Sequence, residues 1–298
     1  MGYRNIKIDS NAVLCIKNAQ LLIGDFSVPL EDINCLLIEN ENVKLSSYLI
    51  QKCADYGIPI YCCNEKHLPN CVLVPFEKNS RHLSILRLQI DASKPLNKRI
   101  WQSIIKRKIK NQACCLKWNN LDEYEQLEKM GDSVQSGDKS YVEAKAAAYY
   151  FRVLFGSGYS RREETVVNAA MNYAYAIVRG VIARTLVIHG LEPSLGINHC
   201  SVQNNFNLVD DFLEPFRPMV DMVIMENIES IRSAESLTSE HKRTLLSVLT
   251  LDMLIDGRKE IINNCIDIMV ESYIRSLRKG EMVLLTPQII GVSRHNYE

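Results

Sequence analysis

The residues between positions 196 and 221 combine a histidine with acidic residues at helical spacing. Asp211 and Glu214 are three residues apart, so both carboxylates fall on one face of a helix. His199 lies in a segment typical of a turn, from which its imidazole can reach that helix. Glu143 lies among alanines in a separate predicted helix, and these small neighbours let another helix approach closely. The sequence thus offers one imidazole and several carboxylates to a common site.

A nitrogen ligand with carboxylates suits Mg²⁺ or Mn²⁺ better than structural zinc, which favours Cys and His ligands. Cys200 follows His199 but has no partner thiol at ligand spacing. A hard divalent ion beside basic residues is what phosphodiester chemistry requires. The residues therefore favour a metal-dependent enzyme acting on nucleic acid. The alternative is structural, since acidic residues at this spacing often form a solvated stripe.

Composition limits the other classes of function. The chain has 298 residues, 47% of them hydrophobic and 23% charged, which is typical of a globular protein. Lys plus Arg equals Asp plus Glu at 35 each, so any nucleic-acid site must arise from local segregation of charge. The ten cysteines show no CxxC pair and no regular disulfide spacing. Without an apolar signal core, the sequence predicts a cytoplasmic protein with no membrane span.

The order of the predicted elements indicates an α+β fold with a small β-rich domain first and an all-α-helical catalytic domain second. Short β-rich segments and one helix occupy residues 1–76, and a mixed polar stretch predicts a linker over 77–96. Helical periodicity dominates residues 97–298, with an apolar central helix over 163–189. Within this region, a helix is predicted over 238–256, and the tail from 280 to 298 shows no predicted element.

The helix predicted over residues 97–118 also suggests a nucleic-acid surface. Its apolar residues share one face, and its basic residues are predicted to lie elsewhere, where they can follow a phosphate backbone. A solvated basic stripe is the alternative. The basic residues predicted for this helix face are Lys98, Lys106, Arg107, Lys108 and Lys110.

The chain resembles the CRISPR-associated integrases that capture new spacers, in the version found in type II systems. The resemblance rests on the MGYRNI opening, YYFRVLFG after Glu143, the GxxH turn ending at His199, and FNLVDDFLEPFRP. It implies that Glu143, His199 and Glu214 are catalytic residues that bind Mg²⁺ or Mn²⁺, with Asp211 as a supporting catalytic acid. Asp210 has no assigned role. The residues predicted to contact DNA are Lys106, Arg107, Lys110, Arg161, Arg162 and Arg217.

The resemblance further implies a reaction and an assembly. The enzyme is expected to join 3′-hydroxyl ends of captured double-stranded DNA to a CRISPR repeat by transesterification. Its expected partners are a second copy of itself, a dimer of a small companion adaptation protein within a heterohexamer, and the type II RNA-guided effector nuclease. Two other readings remain open from the residues. One is a stand-alone nuclease on branched DNA, and the other is a non-catalytic DNA-binding scaffold.

Overall fold

The computed structural model describes residues 4–65, 69–75 and 82–294. Among these residues, the N-terminal part contains two four-stranded sheets and one α-helix. The first sheet has the order β1-β5-β7-β8 and the second the order β4-β3-β2-β6. The elements are β1 Arg4–Ile8, β2 Val13–Lys17, β3 Gln20–Ile23, β4 Phe26–Pro29, β5 Ile33–Ile38, β6 Lys44–Leu45, α1 Ser47–Tyr56, β7 Ile60–Cys63 and β8 Pro69–Leu73.

The remaining described residues are mostly helical, as predicted. The helices are α2 His82–Ile90, α3 Lys94–Trp118, α4 Tyr124–Ser133, α5 Val142–Phe155, α6 Val166–Ile188, α7 Asn207–Leu213, α8 Arg217–Glu226, α9 Ile228–Ser233, α10 Ser239–Leu246 and α11 Ile262–Lys279. A short 3₁₀ turn, Glu214–Phe216, joins α7 to α8. Ser93 caps α3 and Thr165 caps α6, each accepting a backbone N–H from the first turn of its helix.

The second domain was predicted to be all-helical, but it also holds an antiparallel sheet. Its strands are β9 Leu251–Ile255, β10 Arg258–Ile261 and β11 Gln288–Arg294, in the order β10-β9-β11. The helix predicted over 238–256 therefore ends early, because residues 251–255 extend and pair on both sides. The tail predicted to lack an element supplies β11, although residues 295–298 lie outside the described part. Strand pairing between segments that are distant in sequence cannot be predicted from local periodicity.

The predicted linker also contains structure. Residues 82–90 form α2, and α3 begins at Lys94, three residues before its predicted start. Gln89 explains the stability of α2, because its amide donates to the Glu192 carbonyl and accepts the Glu192 N–H at 3.3 and 2.8 Å. Because Gln89 is polar, its contact with Glu192 adds nothing to the apolar periodicity from which a helix is predicted. Residues 76–81 of the predicted linker and strand lie outside the described residues.

Strand β5 joins the two halves because both of its faces are buried. Leu36 and Ile38 pack into the core of the β-rich part, whereas Cys35 and Leu37 pack into the larger helical core, as the alternation of a strand requires.

Helix α6 lies in that larger core. It is the one helix among the described residues long and apolar enough to cross a membrane, and 72% of its most apolar window is buried. Such burial is typical of a core helix.

The two parts are in close contact where Tyr61 of β7 crosses Gly180 of α6. A methyl group at Gly180 would lie 2.0 Å from the Tyr61 ring, and the Tyr61 hydroxyl donates to the Ile177 carbonyl at 3.2 Å. We expect Gly180→Ala to lower the free energy of unfolding by about 1–3 kcal/mol through overpacking. Urea denaturation measures this. Gly158→Ala is the control, because nothing lies within 4 Å of its added methyl, and equal losses in both variants would contradict the packing.

Candidate active site

The turn that carries His199 is built around Asp211, a fully buried residue of α7. The Asp211 carboxylate accepts the backbone N–H groups of Ile197, Asn198 and His199 at 2.5, 3.0 and 3.2 Å. It also lies 2.7 Å from Nδ1 of the His199 imidazole. A methyl group at Gly196 would lie 2.1 Å from the His199 carbonyl oxygen. This position therefore requires glycine, and Asp211 fixes both the turn and the imidazole.

The bond between Asp211 and His199 leaves Nε2 as the ring nitrogen that faces away from Asp211. A carboxylate behind a histidine is the usual arrangement for a metal-binding imidazole, because it fixes the tautomer and the ring orientation. The structure therefore shows Asp211 holding the His199 imidazole in place, and its predicted catalytic role stays a prediction. The neighbouring Asp210 points elsewhere and pairs with Arg179 at 2.6 Å.

Hydrogen bonding to Asp211 raises the pKa of His199, although burial opposes the change. The ion pair therefore stabilises the metal-free protein fully below the ordinary pKa of 6.5 and is lost as pH rises through the raised value. We expect an NMR titration of the metal-free protein to place the His199 pKa above 6.5, and Asp211→Asn to lower it. Asp210→Asn should change it little. A wild-type pKa at or below the ordinary value would contradict the pairing.

Glu143 and Glu214 come together around a third residue, Lys108 of α3. The Lys108 ammonium lies 2.6 Å from Oε1 of Glu143 and 2.5 Å from Oε2 of Glu214. Asp138 holds the start of α5, where it accepts the N–H groups of Val142 and Glu143. Two acids that are 71 residues apart in sequence thus share one buried cation.

Glu214 is itself buried and paired on both sides. Arg217 donates through Nε to Oε1 of Glu214 at 3.0 Å, while Oε2 accepts no well-aligned hydrogen bond despite its contact with Lys108. Burial alone would raise the pKa of Glu214, but the charges of Arg217 and Lys108 outweigh it and lower the pKa to about 2. Glu214 therefore stays ionised, with one carboxylate oxygen bonded to Arg217 and the other in contact with Lys108.

Sequence reasoning placed Lys108 with the exposed basic residues of α3, and this was wrong. Lys108 is 6% exposed and lies seven residues after Trp101, on the same helix face. The Trp101 ring meets the His199 imidazole edge-on at 5.8 Å between centroids. One face of α3 therefore spans the whole site. The seven-residue spacing between Lys108 and Trp101 was the sequence signal that could have identified Lys108 as a buried residue of this helix face.

A second group of residues, which was not predicted from the sequence, packs against Arg217. The guanidinium groups of Arg217 and Arg161 lie 4.8 and 5.6 Å from the centroid of the Tyr175 ring. The Tyr175 hydroxyl donates to buried Asp221, which also accepts from Tyr150 at 2.9 Å. Burial raises the pKa of Asp221 to about 6. Arg161 and Arg217 thus converge on one aromatic ring beside Glu214.

The predicted DNA contacts on α3 lie apart from this centre, whereas Arg162 shares a cleft with Arg161. Lys106, Arg107 and Lys110 occupy the opposite face of α3, where Lys110 pairs with Asp132 at 2.9 Å and Arg107 donates to Thr286 at 3.3 Å. Arg162 lines a cleft of about 950 Å³ whose walls carry many acids. These acids are Asp9, Glu39, Glu41, Glu65, Glu163, Glu164 and Glu235. The face of α3 that carries Lys106, Arg107 and Lys110 is called the far face. It and this cleft are distinct surfaces.

The donor set fits a hard divalent ion, but Lys108 holds the space between the two carboxylates. No three His, Cys, Asp or Glu side chains are grouped as metal ligands within residues 4–65, 69–75 and 82–294. Glu143, Glu214 and the Nε2 face of His199 are nevertheless the oxygen and nitrogen donors that Mg²⁺ and Mn²⁺ accept. Oε2 of Glu214 contacts the Lys108 ammonium at 2.5 Å but accepts no well-aligned hydrogen bond, so this buried oxygen is incompletely satisfied in the metal-free protein.

Comparison with known proteins identifies the family. The model of the family described as CRISPR associated protein Cas1 matches residues 4–257. The chain belongs to the Cas1 family. It is 36% identical to the CRISPR-associated endonuclease Cas1 of Neisseria meningitidis serogroup C, and the alignment covers 100% of both chains. Membership of this CRISPR-associated family, which the resemblance predicted, is therefore confirmed.

Solved structures of other proteins show the same fold. A casposase bound to integration product has a TM-score of 0.78 at 16% identity, covering 95% of this chain and 92% of the casposase. A chain of a Cas6-RT-Cas1–Cas2 complex has a TM-score of 0.72 at 13% identity, covering 94% of this chain and 35% of that one. The β-rich part followed by a mostly helical part is thus the fold of Cas1 proteins.

Proposed function

We propose that this Cas1 family member is a metal-dependent enzyme that joins the 3′-hydroxyl ends of captured DNA to a CRISPR repeat. One observation carries the proposal. Glu143 and Glu214, from separate helical segments, converge on one buried cation beside an imidazole that Asp211 holds in place. The name of the Neisseria relative, an endonuclease, and the integration product in the casposase structure support this class of reaction.

Glu143, Glu214 and Nε2 of His199 would hold the metal, Mg²⁺ or Mn²⁺. When bound, the ion would polarise the phosphate and stabilise the charge that develops on the leaving oxygen. Arg217 keeps Glu214 ionised and oriented through its bond to Oε1. Asp211 holds Nδ1 of the imidazole, so Nε2 is the ring nitrogen directed away from Asp211. These contacts orient two of the three proposed ligands, Glu214 and His199. The proposed reaction forms no covalent enzyme intermediate.

The proposed reaction exchanges one phosphodiester bond for another. The 3′-oxygen of the captured DNA forms a bond to phosphorus in the repeat, and the bond from that phosphorus to its original 3′-oxygen breaks. The attacking hydroxyl loses its proton, and the leaving 3′-oxygen gains one. The number of phosphodiester bonds is unchanged, so the exchange needs no oxidant and no nucleotide energy source.

A comparison of DNA ends tests the reaction class. Purified protein with Mn²⁺ is given a supercoiled plasmid carrying a leader and repeat, together with duplexes ending in 3′-hydroxyl or 3′-phosphate groups. We expect joined products with the 3′-hydroxyl duplex and none with the 3′-phosphate duplex. Plasmid cleavage that is equal with both duplexes, without joining, would instead identify a nuclease that uses water.

The DNA is proposed to follow the N-terminal half of α3 rather than its far face. A cleft of about 240 Å³ next to the His199 turn is lined by Lys94, Asn97, Lys98, Trp101, Gly137, Ile197 and Asn198, with no acidic side chain. Lys94, Trp101 and Lys108 succeed one another at seven-residue spacing, on one helix face. Positive charge along this face leads directly to the candidate ligands, which the far face of α3 does not reach.

Removing the two cleft lysines should weaken DNA binding. We expect Lys94→Ser with Lys98→Ser to lower affinity for a short duplex about tenfold and to reduce the slope of log affinity against log salt by about two, because each phosphate contact contributes about 0.9. Fluorescence anisotropy over a salt series measures both quantities. The matched control, Lys106→Ser with Lys110→Ser, removes the same charge from the far face of α3. A larger effect in the control would place the DNA there.

The proposed assembly follows the family resemblance. We propose that the protein acts as a homodimer and that two such dimers flank a dimer of the small companion adaptation protein in a heterohexamer. The Cas1–Cas2 complex among the similar structures supports a small companion. In a type II system, the RNA-guided effector nuclease would help to choose the DNA. The reaction on a chromosomal array would occur in the prokaryotic cytoplasm.

A further inference from the structure

Lys108 occupies the position between the two carboxylates that a divalent ion would also need. Its ammonium contacts Glu143 at 2.6 Å and Glu214 at 2.5 Å, and its side chain is 8% exposed. Lys106 and Lys110, two residues away on either side, lie on the opposite face of the same helix. A single buried lysine is therefore directed into the candidate metal site while its basic neighbours are directed away from it.

Two cations cannot share this space. Like charges a few ångströms apart in a poorly solvated site repel strongly, and each carboxylate oxygen in contact with the ammonium is then withdrawn from a metal. Arg217 does not compete in the same way, because it bonds the other oxygen of Glu214, Oε1. Binding of a divalent ion between Glu143 and Glu214 thus requires the Lys108 ammonium to move.

We propose that Lys108 is the resident cation of the metal-free site and that metal binding displaces its ammonium toward a phosphate of the bound DNA. This inference rests on the proposed function and describes how metal binding at the same site would be regulated by DNA. The flexible four-carbon stem of lysine permits such a movement. Without DNA, the displaced ammonium loses both carboxylates and gains no anion. With DNA, a phosphate replaces them, so DNA and metal strengthen each other's binding, as linkage requires.

Metal affinity measured without DNA tests the competition. Isothermal titration with Mn²⁺ compares the wild type with Lys108→Met and with the control Lys106→Met, which removes a charge from the far face. We expect Lys108→Met to bind Mn²⁺ about tenfold more tightly than the wild type, because close buried charge pairs are coupled by at least that factor. Lys106→Met should match the wild type. Unchanged or weaker Mn²⁺ binding by Lys108→Met would overturn the inference.

Adding a short duplex tests the displacement toward phosphate. We expect DNA to tighten Mn²⁺ binding by a larger factor in the wild type than in Lys108→Met, since only the wild type has an ammonium to relocate. Equal factors would overturn this step. A wild type that binds no Mn²⁺ even with DNA would contradict the proposed function itself. If the wild type binds Mn²⁺ and joins DNA, failure of the Lys108 variant affects this inference alone.

A second variant covers the case in which Lys108→Met does not fold. Lys108→Gln keeps a hydrogen-bond donor between the carboxylates, and thermal unfolding in EDTA and in Mn²⁺ follows its stability. We expect a lower melting temperature than the wild type in EDTA, and a larger increase on addition of Mn²⁺. An increase equal to or smaller than that of the wild type would mean that Lys108 only supports the carboxylates, and the inference would be wrong.

Discussion

Glu143→Gln is expected to reduce DNA joining by at least about a thousandfold, which corresponds to about 4 kcal/mol of transition-state stabilisation. The substitution keeps the size of the side chain but removes one of the two carboxylate charges around Lys108. A metal bound there would lose an anionic ligand. Because Glu143 is partly exposed, with 31% of its side chain accessible, folding should be little affected.

DNA binding distinguishes this outcome from a structural one. The cleft lysines are unchanged in Glu143→Gln, so affinity for a short duplex should stay within about twofold of the wild type, a difference of less than 0.5 kcal/mol. Glu125→Gln, an exposed acid on α4, is the matched control and should retain joining. A Glu143→Gln protein that joins DNA normally, or that mainly loses stability, would support the non-catalytic scaffold.

Asp211→Ala is expected to lower the free energy of unfolding by about 3–5 kcal/mol, because several donors lose one buried charged acceptor and each unmet hydrogen bond costs about 1–3 kcal/mol. Three backbone N–H groups and Nδ1 of His199 would lose their acceptor together. In the fraction that folds, the imidazole would no longer be held, and metal affinity should fall about 10–100-fold. Urea denaturation and Mn²⁺ titration measure the two effects.

The adjacent acid supplies the control for this substitution. Asp210 bonds Arg179 and Asn204 near the surface, so Asp210→Asn should cost about 1 kcal/mol or less and leave Mn²⁺ binding intact. Similar losses in both variants would show that any acid on this helix matters equally. The organising role assigned to Asp211 would then be wrong.

Sequence allowed prediction of the candidate site residues that lie close together in the chain, because a short motif contains them. His199 and Asp211 are a dozen residues apart, within one turn and the helix that follows it, and the structure joins them by a hydrogen bond. Glu214 lies within the same string. The division into a β-rich part and a mostly helical part also followed from local periodicity.

Contacts between distant segments could not be predicted in the same way. Lys108 meets Glu143 and Glu214 only because α3, α5 and the turn after α7 converge in space. Its charge favoured a surface position in the helical pattern, and tertiary pairing overrode that preference. Strand β11 likewise depends on β9 for its hydrogen bonds. The amide of Asn111 holds Pro215 and Pro287 together, which no local pattern indicates.

The most direct test of the central claim is strand transfer by the purified protein with its small companion. A short duplex with free 3′-hydroxyl ends and a supercoiled plasmid carrying a leader and repeat are incubated with Mn²⁺, with Mg²⁺ or with EDTA. The proposed site predicts joined products with either metal, none in EDTA, and none in Glu143→Ala, His199→Ala or Glu214→Ala. Joining that persists in EDTA or in these three variants would contradict it, as would DNA binding with no chemistry under any condition.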